Sequence, residues 1–72
     1  MSERNESLEI YTCIREHGPI DVEAISEKTG YHPHLIEVAI KIMLEYQMIY
    51  QSGVTPDRPP EWAEPVYMAK SR

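Results

Sequence analysis

The chain reads as a mainly α protein of the α+β class: three helices followed by a two-stranded β hairpin. Three observations predict this. Apolar residues recur at helical spacing in three separate segments, each closed by a stop signal. The last third changes to two short, β-prone runs. A proline-rich stretch between those runs supplies a long, stiffened hairpin tip.

Residues 1–6 are polar and read as a frayed tail, which leaves residues 7–70 as one domain without internal repeats. The first helix is expected over about 7–17. Leu8, Ile10, Tyr11 and Ile14 share a face, His17 suits the negative end of the helix dipole, and Gly18-Pro19 stops the helix. The second spans about 21–29. Asp21 can cap its free N–H groups, Ile20 can staple onto Ile25, and Gly30 ends it. The third spans about 33–47, with Pro33 in the first turn and Tyr31 placed to staple onto Ile36. Met48-Ile49-Tyr50-Gln51 and Pro65-Val66-Tyr67-Met68-Ala69 are the two strand candidates, so the hairpin covers about 48–70.

Composition narrows the function classes. Seventy-two residues with 42% hydrophobic side chains suit a small globular domain. A chain of this length buries only about 60% of its unfolded surface, so marginal stability and self-association are expected. Cys13 is the single cysteine, which excludes an intramolecular disulfide. The polar start does not resemble a signal peptide and no apolar run is long enough for a membrane span, so a cytoplasmic protein with a reduced thiol is expected. The formal charge of −5 runs against the basic balance of most phosphate-binding proteins.

Two helices separated by a tight turn at Gly30, the second longer and followed by a hairpin, have the layout of a winged helix-turn-helix. Gly30, Ile36, Ile40 and Met43, then Gln47-Met48-Ile49, resemble the apolar spacing of small winged-helix regulators of the fimbrial-operon type. Ile10, Ile14, Ile20 and Ile25 match the apolar positions of the first two helices, and the resemblance runs from Leu8 to Lys70. Gln47 stands where the family usually has glycine. The resemblance implies a transcription-regulator-type protein, a dimer, that binds double-stranded DNA through the third helix and the wing. His32, His34, Leu35, Glu37, Val38 and Lys41 occupy the positions that would enter the major groove. Arg58 at the wing tip, with Lys28, Lys70 and Arg72, would form a phosphate-binding set.

The third helix also supports a different reading. Family members usually carry donors where this chain has Glu37 and two aliphatics, and Lys41 can pair with Glu37 or Glu45 at four-residue spacing. Turning each residue by about 100° puts Ile36, Ile40, Met43 and Gln47 on a core stripe with Ala39 and Tyr46 beside it, within an apolar arc of roughly 200°. That width fits the central helix of a three-helix core. The alternative is a partner-binding stripe or homodimer face of Leu35, Val38 and Ile42, which would make the chain a protein-interaction module. Trp62 either anchors the wing loop onto the helices or is an exposed anchor for a partner. A third alternative is an acidic surface that imitates DNA.

Other chemistry is not expected. Cys13 with His17, and His32 with His34, lack the paired spacing of a zinc site, and Cys13 reads as a small core residue. No cofactor or small-molecule substrate is implied. There is no nucleophile elbow, phosphate-cradling glycine loop or clustered carboxylate pair, which argues against an enzyme. Glu3, Glu6, Glu9, Glu16, Glu23 and Glu27 read as solvated helix faces.

Overall fold

The computed structural model describes residues 5–70. Three helices, α1 (Glu6–His17), α2 (Val22–Thr29) and α3 (Pro33–Glu45), precede strands β1 (Ile49–Val54) and β2 (Pro65–Ala69). The strands form a two-stranded antiparallel sheet, and the whole is a winged-helix-like arrangement.

Local chemistry accounts for the helix ends. Asn5 accepts a hydrogen bond from the Leu8 N–H at 3.0 Å, so α1 starts at Glu6, earlier than the expected tail allowed. Asp21 caps α2 by accepting from the Ala24 N–H at 3.1 Å, and Gly30 ends that helix in the left-handed region at φ 82°. Ile20, Ile25 and Ile36 all lie in the core cluster, with Tyr31 packed against it, as the two staple pairings require.

The end of α3 differs from the sequence expectation. The helix stops at Glu45, and Gln47 takes a left-handed conformation at φ 60°. The Gln47 N–H donates to the Leu44 carbonyl at 3.1 Å and the Met48 N–H to the Met43 carbonyl at 2.8 Å, which together form a Schellman closure. Gln47 is therefore exposed beyond the helix and not on the core stripe, and Tyr46 is 72% exposed instead of lying beside it. A left-handed non-glycine residue costs roughly 1–2 kcal/mol, so Gln47→Gly is expected to stabilise the fold by about 0.5–1 kcal/mol after the added unfolded-state entropy is subtracted. Thermal unfolding would show it as a rise of roughly 2–8 °C. A lowered midpoint would mean that the glutamine side chain contributes more than its backbone costs.

The core is built from Ile10, Ile14, Ile20, Ile25, Ile36, Ile40 and Ile49, with Cys13, Ala39, Met43 and Tyr67 among them. Burial pushes the Cys13 thiol above its ordinary range. Ile20, between α1 and α2, exchanges two backbone hydrogen bonds with Tyr67 (3.1 and 2.9 Å) and so adds a bridge to the far side of β2. The first strand is longer than expected, reaching Val54, and a bulge between Gln51 and Gly53 shifts its register.

Candidate functional site

The α2–α3 turn is held by side-chain hydroxyls. Thr29 donates to the Ile25 carbonyl at 2.8 Å and accepts from the Tyr31 N–H at 3.3 Å, while Ser26 donates to the Tyr31 carbonyl at 2.7 Å. The Tyr31 hydroxyl donates to Glu9 at 2.7 Å, which fastens this turn to α1. Glu9 is thus a structural acceptor and not a solvated acid. His32 caps α3 through Nδ1, which accepts from the His34 N–H at 3.0 Å.

This scaffold presents His32, His34, Glu37, Val38 and Lys41 to solvent, while Leu35 is half-buried. His34, Glu37, Val38 and Lys41 line a groove of about 360 Å³ between α3, the start of α2 and Tyr67 of β2. Burial raises the Tyr67 phenol above its ordinary range, and the charges of Glu37 and Glu64 add to that rise. Among the described residues Lys41 forms no ion pair with Glu37 or Glu45, contrary to the four-residue spacing. The exposed face of a surface helix leaves such pairs worth little, so solvation competes with them.

Of the basic set expected for phosphate, Arg58 is engaged by acids within the fold. Arg58 donates to Glu23 at 2.7 Å and lies 4.0 Å from Asp21, so the wing-tip guanidinium is turned onto the N-terminus of α2. The hydrogen bond it donates to Glu23 is the main reason its pKa lies above the ordinary arginine value. Glu23 is accordingly an ion-pair partner and not a free acid. Lys28 borders a separate groove between α1 and α2, with Glu9, Glu16 and His17. Lys70 is exposed just beyond β2, and Arg72 lies outside the described residues.

The wing loop closes at its neck. The Thr55 N–H donates to the Glu64 carbonyl at 2.9 Å, and Thr55 Oγ1 accepts from the Glu64 N–H at 3.2 Å. Trp62 is 69% exposed, which removes the role of anchoring the loop onto the helices and leaves the exposed-anchor reading.

The apolar surface gathers elsewhere. Ile42 is 47% exposed and borders a groove of about 320 Å³ between the start of α1 and the end of α3. Leu8 (57% exposed), Tyr46 and Met48 (40%) line the same groove. Tyr11 and the buried Ala39 and Met43 form its wall. Sequence reasoning missed Leu8, Tyr46 and Met48. Helical spacing places Leu8 on the core face of the first helix and Tyr46 at the edge of the core stripe. For Tyr46 and Met48 the signal that could have found them is the glycine position of the resemblance at Gln47, which marks an earlier helix end; no local signal marks Leu8. Among the described residues no group of three His, Cys, Asp or Glu side chains could hold a metal ion, and no helix is long and apolar enough to cross a membrane.

Three helices with a two-stranded antiparallel wing define the class of this protein by fold alone. No family model matches the chain, and no curated protein matches it. Among solved structures it is similar to a conserved hypothetical protein from Chlorobium tepidum, with a TM-score of 0.76 and 18% sequence identity. The likeness covers 90% of this chain and 36% of that one, so this chain spans about a third of its neighbour's length. At that identity the likeness is one of fold.

Proposed function

We propose that this chain is a non-catalytic winged-helix module that binds a protein partner through the groove between α1 and α3. One observation carries the reading: Leu8, Ile42, Tyr46 and Met48 surround a single groove while remaining 40–72% exposed. Contiguous apolar patches on small proteins mark interaction sites, and Tyr and Met are enriched in them. The partner supplies apolar side chains to this groove. The module belongs to the cytoplasm, where Cys13 stays reduced. Its test is capture of the partner from source-cell lysate by the wild-type chain and by Ile42→Glu, with folding checked by circular dichroism. A partner held by the wild type and lost by the folded variant supports the groove. Equal retention by both removes it.

A second reading keeps the regulator role suggested by the helix-turn-helix layout, with double-stranded DNA as ligand. The exposure of His32, His34 and Lys41 on the first turns of α3 favours it. Titrating isotope-labelled protein with mixed-sequence duplex at low salt separates the two readings. Amide shifts confined to residues 32–41 and steeply salt-dependent would establish DNA contact. Unmoved amides there leave the protein-binding reading alone. Arg58→Ala is expected to leave any DNA affinity and its salt slope unchanged, because Glu23 and Asp21 already neutralise this side chain.

A further inference from the structure

Tyr67 carries one polar group that the fold leaves unused. The residue belongs to the core cluster and is only 9% exposed. Its backbone N–H and C=O both bond Ile20. Its hydroxyl has no such partner, for no described residue forms a hydrogen bond with it. A tyrosine buried to this degree ordinarily has its O–H engaged. Among the described residues no side-chain oxygen or nitrogen is both sealed from solvent and unpaired. The hydroxyl therefore opens to solvent, and the space that Tyr67 lines is the groove between α3 and the start of α2.

That groove has two poles. Glu37 and Lys41 both line it, one turn apart on α3, and among the described residues neither is ion-paired. Glu37, and not Lys41, is close enough for its charge to act on the phenol. Glu37 and the Tyr67 hydroxyl thus form an acidic pole, with His34 one turn before Glu37 on the same rim. Lys41 stands toward the other end. Between and around them the walls are apolar: Val22, Val38 at 45% exposure and Leu44 at 38%. The acids on either side of Val22 do not add to the acidic pole, because Asp21 and Glu23 are engaged by Arg58.

We propose that this groove binds a free α-amino acid with an apolar side chain. The ammonium group sits at Glu37 and donates to the Tyr67 hydroxyl oxygen, which supplies the partner that the buried phenol lacks. The carboxylate accepts from Lys41, and the side chain lies against Val22, Val38 and Leu44. Charge decides between ligand classes. A simple organic cation leaves Lys41 unmatched and a simple anion faces Glu37, whereas a zwitterion complements both. It also carries no net charge, so the −5 of the chain does not repel it. The volume of about 360 Å³ suits a molecule of this size. The site is separate from the α1–α3 groove and depends on neither reading of function above.

The test is an NMR titration of the isotope-labelled full chain with L-leucine and L-phenylalanine as probes. N-acetyl-leucine, which lacks the ammonium group, and leucinamide, which lacks the carboxylate, are run beside them. Saturable amide shifts are expected at Val22, residues 34–41 and Tyr67, with a dissociation constant of about 1 mM or tighter for at least one probe. Each leucine derivative is expected to bind roughly tenfold more weakly than leucine, having lost one charge-assisted contact. Glu37→Gln and Lys41→Met are expected to weaken binding by a similar factor, about tenfold. Tyr67→Phe keeps the buried ring and is expected to weaken it by roughly threefold to tenfold. The unliganded spectrum of each variant reports that it is folded. Absence of saturation by about 50 mM of either probe would overturn the proposal. So would leucinamide or N-acetyl-leucine binding as tightly as leucine, affinity unchanged in both charge variants, or shifts gathered instead at Leu8, Ile42 and Tyr46, which would place the amino acid's side chain in the α1–α3 groove.

Discussion

Replacing Gly18 by alanine is expected to destabilise the protein by about 2–3 kcal/mol, the upper part of the range for forcing extra volume into packed structure. Gly18 has φ −66°, so its backbone would suit any residue and the cost is steric. An added Cβ would lie 2.6 Å from the Ile14 carbonyl oxygen and 2.9 Å from that of Tyr67. Both oxygens are already engaged. The Ile14 carbonyl accepts from the Gly18 N–H at 2.8 Å, and the Tyr67 carbonyl from the Ile20 N–H at 3.1 Å. Neither can yield without breaking the end of α1 or the bridge that ties β2 to the helices. Thermal unfolding should show a midpoint lowered by roughly 10–20 °C. A change of only a degree or two would show that the sheet can move away from α1 at little cost.

Ile36→Ala is expected to cost about 3 kcal/mol, within the range for aliphatic truncation in a packed core. Ile36 is fully buried and belongs to the cluster that joins all three helices to the sheet. Against a total stability of about 4–11 kcal/mol, scaled from the usual value per residue, this is a quarter to three quarters of what holds the fold. Urea denaturation should give a lower midpoint with an unchanged slope, because the surface exposed on unfolding hardly changes. Ile36→Val should cost only about 1 kcal/mol. Equal losses for the two substitutions would mean that shape, and not lost volume, sets the penalty at this position.

These two positions differ in how far sequence reveals them. Ile36 is read directly from helical spacing, because the hydrophobic face of a helix repeats over a few neighbouring residues. The same holds for Asp21 as a cap, Gly30 as a stop and Ile25 as a core residue, each of which depends on residues within one or two turns. Gly18 looks like an ordinary helix stop. Its close approach to Tyr67 involves a strand far along the chain, which no local pattern encodes.

The candidate site divides along the same line. The exposure of His34, Glu37, Val38 and Lys41 follows from their angular positions on α3, and the sequence supports it. Arg58 does not follow from its neighbours. In the sequence Arg58 is a wing-tip cation placed for phosphate, yet Glu23 accepts its hydrogen bond from α2 across the fold. Glu9 likewise reads as a solvated acid until the α2–α3 turn brings the Tyr31 hydroxyl to it. The apolar groove needs two helix ends at once, with Leu8 from α1 meeting Ile42, Tyr46 and Met48 from α3 and its exit.

By itself the sequence determined the three helices, the Asp21 cap, the stops at Gly18 and Gly30, the hairpin and most of the core, because hydrophobic periodicity and capping act between residues close along the chain. Only the tertiary structure decided where α3 ends, which charges are already paired and where the exposed apolar side chains gather. Each of these depends on groups far apart in sequence, and the helix–sheet packing that brings them together is a property of the whole core.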